Sequence, residues 1–282
     1  MGDFAADTAI ERQDDARYRA SLSRDWEIWG PMGGYLAAIA LRAAGAEATL
    51  ERPVSFFCHF LGPSRFGDAD LTAEALRRGR SVESIRVRMT QGDRGVLDAT
   101  VCVGAANAGL EHEVATFPTV PPPEELASLA ELTVDAGRPP MPFWDNFDAR
   151  PIAFRSDWPP DGPLDPSWQQ WQRFIPTSTF ADPWLDAARS VLLCDLPSWP
   201  ALMARHAWTF VEGGPWWVAP TLDLYVAFHR LVPSEPWLFV EGRVPVATDG
   251  LAACHARLWS TDGALVASGG GQGYFRAVPP PD

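Results

Sequence analysis

The chain has no lysine; all 23 of its basic residues are arginine. That absence excludes Schiff-base chemistry and any phosphate loop that depends on a lysine. A Gly-x-Ser-x-Gly elbow is missing too, which leaves a serine-hydrolase triad unsupported. Cysteine is scarce and scattered: Cys58, Cys102, Cys194 and Cys254 form no Cys-x-x-Cys pair and have no nearby His pair. They read as small buried hydrophobes of a reducing compartment, with neither a metal site nor a disulfide framework expected. Basic charge is in deficit. A formal net charge of −13 argues against nucleic acid or an anionic membrane as the main partner. No apolar run is long enough to span a bilayer. The opening Met1-Gly2-Asp3-Phe4-Ala5-Ala6-Asp7 lacks an apolar signal core. Its Ala6 stands where a myristoylation signal wants Ser or Thr. A cytoplasmic protein without membrane insertion is expected.

What the chain does have is a repeat. Phe60-Leu61-Gly62-Pro63 is followed by Asp70–Glu74, Ile85–Met89 and Gly95–Ala99. Arg230-Leu231-Val232-Pro233 is followed by Trp237–Glu241, Cys254–Trp259 and Gly263–Ala267. The spacing from Pro63 to Gly95 is 32 residues, and from Pro233 to Gly263 it is 30. A strand, strand, turn, strand pattern used twice implies a duplicated unit. Hydrophobic content of 46%, with 13 Trp and 15 Phe among the 282 residues, is ample for a packed core.

Each half also offers one buried helix. After Trp26, Trp29 and the turn Gly30-Pro31-Met32-Gly33-Gly34, residues 35–44 are apolar on nearly every face, with Gly45 as the expected stop. In the second half Asp182-Pro183 opens a helix through Leu185, Ala188, Val191 and Leu192 that ends near Asp195-Leu196-Pro197. Strands are expected over 53–61, from Asp70, over 84–91 and 96–103, then over 168–174, 218–230, 237–246, 252–260 and 265–275. Between Ala105 and about Asp148 the prolines 118, 121–123, 139, 140 and 142 mark a linker, with a short helix around 124–132. An antiparallel sheet wrapping one apolar helix is a hotdog, so the fold class is α+β, a double hotdog. Its expected parts are an N-terminal hotdog (1–106), a linker (107–150) and a C-terminal hotdog (151–282).

The order of several short motifs carries a resemblance. The first half has Gly33-Gly34 at the helix start, His59-Phe60-Leu61-Gly62-Pro63, and Leu76-Arg77-Arg78-Gly79-Arg80-Ser81 with Gln91 one strand later. The second has Asp195 at the helix end, Thr221-Leu222-Asp223 leading to Phe228-His229, and Thr261-Asp262-Gly263 leading to Val266-Ala267-Ser268 and Gly273. In this order the chain resembles the bacterial type II acyl-CoA thioesterases, over most of its length except the proline-rich middle. The resemblance implies hydrolysis of a fatty acyl-CoA thioester, part of lipid metabolism, in a homo-oligomer. It also implies that Asp195, Thr221 and a Gln position the attacking water without cofactor or metal. An ungapped alignment puts Gly271 where the family has that Gln; a bulge in Gly269-Gly270-Gly271 would bring in Gln272 instead.

The residue types suit that chemistry. A partly desolvated Asp accepts a proton from water, while Thr and Gln hold the water without becoming nucleophiles. Substrate contacts are expected from Gly33, Gly34, Tyr35, Arg78, Arg80, Asp223 and Gly271. Tyr35 replaces the Gln that usually follows Gly-Gly in the family. Arg78 and Arg80 belong to a basic cluster that is either a solvated turn or a contact for the phosphates of coenzyme A. Asp223 either lines the site or pairs with an arginine. His59 and His229 read as satisfied core histidines. Trp199, Trp208, Trp216 and Trp217 supply an aromatic acyl pocket, core or a subunit interface. The alternative to an enzyme is a catalytically inactive acyl-CoA- or lipid-binding double hotdog, and a hotdog hydratase lacks its Asp–His pair here.

Overall fold

A computed structural model describes residues 1–138, 141–209 and 216–278. The first half contains helices α1 (Phe4–Asp7) and α2 (Gly33–Glu47) and strands β1 (Glu11–Asp14), β2 (Arg17–Leu22), β3 (Arg52–Phe60), β4 (Gly67–Arg77), β5 (Val82–Gln91) and β6 (Arg94–Gly104). Then come α3 (Leu129–Asp135), β7 (Phe147–Pro151), β8 (Ser167–Phe174), α4 (Pro183–Asp195) and α5 (Ser198–His206). The chain closes with β9 (Trp216–Val218), β10 (Asp223–Phe228), β11 (Leu238–Thr248), β12 (Leu251–Trp259), β13 (Leu265–Gly270), β14 (Gln272–Tyr274) and β15 (Arg276–Val278).

Among the described residues one sheet runs in the order β1-β2-β4-β5-β6-β3-β10-β13-β12-β11-β8-β7, with β14 pairing β12. Its two halves join antiparallel at β3 and β10, from Asp223 opposite His59 to Ala227 opposite Ser55. The strands alternate as a sheet covered on one face must: Ile85, Val87 and Met89 are buried while Arg86 and Arg88 meet Asp98 on the outer face. The covered face wraps α2 and α4, which pack against each other. This is the double hotdog. In α2, Ala37, Ala38, Ala40, Ala43 and Ala44 are all fully buried. Alanine favours the helix and its small side chain lets sheet and neighbouring helix approach.

Several local expectations need correction. Gly45 does not stop α2, which runs to Glu47; it lies inside the helix, where a Cβ would come within 2.4 Å of the Trp184 ring. The strand read as 218–230 is split, since Pro220 lacks an N–H for the ladder. Residues 216–218 pair instead with β15, and the main sheet resumes at Asp223. The strand read as 265–275 breaks at Gly271. Within the stretch read as linker, Phe147–Pro151 is a strand on β8, and α3 starts at Leu129 behind a Ser128–Glu131 capping box. Pro139 and Pro140 lie outside the described residues. Helix α5 is an element that was not expected. His59 and His229 are exposed rather than core: β3 alternation puts His59 on the outer face beside Phe57, and His229 Nε2 lies 2.8 Å from Ser268 Oγ. The four cysteines are free thiols, three buried and Cys102 half-buried. No helix among the described residues is long and apolar enough to cross a membrane.

Candidate active site

The C-terminal end of α4 meets the N-terminal end of α2, and Asp195 sits at the junction. Asp182 starts α4 by accepting the Trp184 N–H at 2.9 Å, with Pro183 in the first turn. Asp195 is the last residue of the helix. Across the junction, α2 begins at Gly33 with Met32 giving no side-chain cap. The missing cap comes from the other helix: Gly34 N–H donates to Asp195 Oδ2 at 2.7 Å. Only glycine fits there, because a Cβ on Gly34 would lie 2.9 Å from the Leu192 backbone and 3.0 Å from Asp195 Cβ. The positive end of α2 thus faces a carboxylate, as helix N-termini favour.

Thr221 completes the contact. Its hydroxyl donates to Asp195 Oδ1 at 2.8 Å. Asp195 is only 7% exposed. Burial pushes its carboxyl above the ordinary aspartate range, and the donors from Thr221 and Gly34 pull in the other direction. Cys254, nearby, has its thiol pushed up to about 12, first by burial and then by Asp195. Among the described residues no group of three His, Cys, Asp or Glu side chains is arranged to hold a metal ion.

The other expected site residues divide. Gly33 belongs to the centre, since a Cβ on it would lie 3.1 Å from Asp195 Oδ2 and from the Phe60 ring. Tyr35 does not. Its fully buried ring stacks on Trp26, and its hydroxyl donates to Asp7 O at 2.7 Å and accepts from Ser23 N–H at 3.2 Å. Arg78 donates to the Glu47 carbonyl at the far end of α2, and the exposed Arg80 lies two residues on. From Gly34 to Glu47 the helix rises about 20 Å, so a ligand touching both ends must span that length.

Gln272 is in reach by backbone and not by side chain. Its side chain is exposed and bonds neither Asp195 nor Thr221; its N–H donates to Asp223 Oδ1 at 3.1 Å and its carbonyl accepts the Leu222 N–H at 2.7 Å. Gly271 has no room for a side chain, because a Cβ there would fall 1.9 Å from the Asp223 carbonyl oxygen. The irregularity also lies elsewhere than expected. Three residues separate Thr221 from Tyr225, but only two separate their partners Gly273 and Gly270. On the other side the register with β12 is unbroken from Gly269 to Gly273. The extra residue therefore belongs to the Thr221 segment and not to the glycine run.

A cleft of about 430 Å³ reaches Ala219, two residues before Thr221, and is lined also by Leu202, His206, Trp217, Leu251 and Phe275 among the described residues. An aromatic row runs into it through Trp217 and Phe275: Trp29 meets Trp199 at 4.6 Å, Trp199 meets Trp217 at 4.8 Å, and Trp217 meets Phe275 at 5.9 Å. Trp208 is half-exposed outside this row, and the Trp216 side chain lies outside the described residues. Leu202 and His206 were missed because α5 was missed. Trp29 had one usable signal, its place just ahead of the glycine turn.

Residues 22–105 match the family model for the acyl-CoA thioesterase N-terminal domain, and residues 122–273 match that for the acyl-CoA thioesterase C-terminal domain. The chain belongs to the acyl-CoA thioesterase family. This thioesterase is 25% identical over 284 residues to human acyl-coenzyme A thioesterase 8, covering 92% of this chain and 85% of that protein. Its fold recurs in solved structures. A hot dog fold protein of unknown function from Alicyclobacillus acidocaldarius matches with a TM-score of 0.79 at 22% identity, covering 98% of each chain. An acyl-CoA thioesterase II from Mycobacterium marinum matches with a TM-score of 0.77 at 21% identity, covering 98% of this chain and 99% of that one.

Proposed function

We propose that this thioesterase hydrolyses a fatty acyl-CoA to the free acid and coenzyme A, using water activated by Asp195. One observation carries the reading: a buried carboxylate held by the Thr221 hydroxyl on one oxygen and the Gly34 N–H on the other. Asp195 takes a proton from water as the water oxygen attacks the thioester carbonyl carbon. The carbon–sulfur bond then breaks, and the departing thiolate of coenzyme A receives the proton. Burial favours this role, because it raises the basicity of the carboxylate toward the working pH. Thr221 keeps the carboxylate oriented, and the positive end of α2, whose Gly34 N–H is held by Asp195, favours the developing oxyanion nearby. The acyl tail fits the cleft that starts at Ala219, two residues before Thr221, among apolar and aromatic walls.

A second reading, an acyl-CoA-binding protein that does not cleave, draws on the outward-facing Gln272. Free-thiol release from acyl-CoAs of graded chain length, for wild type and Asp195→Asn, separates the two. Turnover by wild type and a loss of about 10²–10⁴-fold in kcat for Asp195→Asn is the expected result. Binding without turnover at every chain length establishes the second reading. Full activity in Asp195→Asn removes Asp195 from the chemistry.

A further inference from the structure

The bond between Thr221 and Asp195 depends on a one-residue offset in the sheet, and that offset has its own fastening. Strand β10 pairs regularly with β3 from Asp223 to Ala227, and the Phe60 N–H donates to the Leu222 carbonyl at 2.9 Å, which continues the same register. Against β13 the same segment slips by one residue between Tyr225 and Thr221. A regular ladder would give the Gln272 N–H a backbone carbonyl; in its place stands the Asp223 carboxylate at 3.1 Å. The Leu222 N–H takes the Gln272 carbonyl at 2.7 Å, so both polar backbone groups of Gln272 are fixed by residues of the slipped segment. Gly271 lets the main chains touch, with the Asp223 carbonyl where a side chain would begin. Beyond the slip, Tyr274 N–H donates to the Pro220 carbonyl at 3.0 Å and Thr221 pairs Gly273.

We propose that Asp223 is a positioning residue: its carboxylate latches the Gln272 N–H, holding the offset that sets the Thr221 hydroxyl on Asp195. Asp223 acts through Thr221 and does not touch the reacting atoms. In a strand, a slip of one residue sends a side chain to the opposite face. Releasing the offset therefore turns the Thr221 hydroxyl away from the carboxylate. The same arrangement explains how the glycine run serves the site without supplying a side chain: it is the surface against which the extra residue is accommodated.

This inference rests on the proposed role of Asp195, so its test reads that carboxyl directly. The ¹³C-carboxyl resonance of Asp195, assigned by its absence in Asp195→Asn, is titrated in full-length wild type, Asp223→Ala, Asp223→Asn, Thr221→Val and the Asp223→Ala/Thr221→Val double variant. Steady-state thiol release is measured alongside. The Thr221 hydroxyl favours the charged carboxylate. Its loss in Thr221→Val moves the midpoint up and lowers kcat about tenfold, the worth of a hydrogen bond to a charged group. Asp223→Ala moves both in the same direction with KM unchanged. Asp223→Asn, which keeps an acceptor for the Gln272 N–H, stays near wild type. The double variant is no worse than Thr221→Val alone, because both substitutions remove one interaction.

If Asp223→Ala does not fold, Asp223→Glu moves the acceptor by one methylene and is expected to shift the midpoint the same way. A wild-type Asp195 titration in these variants overturns the proposal, as does full multiplication of the two effects in the double variant. Full thiol release by Asp195→Asn refutes the proposed chemistry instead, while the titration still decides the latch.

Discussion

Helices α2 and α4 touch at both ends, at places that match between the two helices, and the two contacts differ in composition. At one end Gly34 lies against Leu192 and Asp195; at the other Gly45 lies against the Trp184 ring. Gly45 stands eleven residues after Gly34, as Asp195 stands eleven after Trp184. The matching places thus hold glycine and acid at one end, and tryptophan and glycine at the other. Duplication supplied two helix junctions, but the glycine on α4's partner leaves room for a carboxylate in only one. The other is plugged by an indole.

A second pairing follows the same division. Each half holds a buried carboxylate that takes a threonine hydroxyl and backbone N–H donors. In the first half it is Glu83, 1% exposed, which accepts the Thr49 hydroxyl and the N–H groups of Thr49 and Leu50, with Arg78 3.5 Å away. Burial acts to raise that carboxyl, yet these donors and the arginine together outweigh it and hold it below the ordinary glutamate range. Among the described residues Asp195 has one hydroxyl and one N–H donor and no ion pair, and burial wins. The same residue types make a strut in one half and a basic carboxylate in the other. The count of donors decides.

The comparison breaks most readily at the plugged end. Trp184→Ala should cost about 3 kcal/mol of stability, as an emptied aromatic site does, measured by urea unfolding, with kcat for thiol release unchanged. A fall in kcat larger than the folded fraction explains would show that the indole serves the reaction after all. Next come the two glycines. Gly34→Ala and Gly45→Ala each force a methyl into a tight contact and should cost about 1–3 kcal/mol. Only Gly34→Ala displaces the Asp195 carboxylate, and with it about a hundredfold in kcat. Equal rates for the two variants would remove the distinction between the junctions.

The smallest effect lies in the pH dependence of stability. The folded carboxyl of Asp195 is raised, so the unfolded chain loses its proton first as pH increases. Stability then falls as pH rises from the ordinary aspartate range toward the raised value. Asp195→Asn escapes that loss and should unfold later than wild type, by a few degrees, at neutral pH. Glu83 has the opposite sign. Its contribution is present above the ordinary glutamate range and lost as pH falls through the lowered folded value. Glu83→Gln should cost about 1 kcal/mol at neutral pH, a deficit that shrinks on acidification. Urea midpoints between acid and neutral pH check both slopes, and slopes of equal sign would contradict the contrast.

Much of the fold was legible because it rests on local pattern. The alternation of Ile85, Val87 and Met89 with Arg86 and Arg88, the alanines of α2 and the cap at Asp182 each record a periodicity or a backbone need that the residues themselves carry. The ordered motifs likewise placed Asp195 and Thr221, which the structure brings within 2.8 Å across 26 residues of sequence. What went unread was set by distant neighbours. Gly45 looks like a helix stop until Trp184 arrives beside it. Tyr35, next to Gly34 in sequence, turns to Trp26 and Asp7 because a helix sends successive residues to different sides. Gln272 looked ready to reach the water if the glycine run bulged; the extra residue instead lies across the ladder, beside Asp223.

The sequence by itself determined that two similar units exist, that each buries an apolar helix under an antiparallel sheet, and which acid and threonine stand at the second helix end. The first two are consequences of side-chain period, residue size and local backbone freedom; the acid and the threonine were placed by resemblance to a family through the order of its motifs. Only the tertiary structure decided that Gly34 of one half donates to the acid of the other, that the matching junction is closed by Trp184, and that a slipped register brings the Asp223 carboxylate to the Gln272 N–H beside Thr221. Each of these depends on the distance between atoms far apart in the chain, and chain order does not encode that distance until the sheet closes around the two helices.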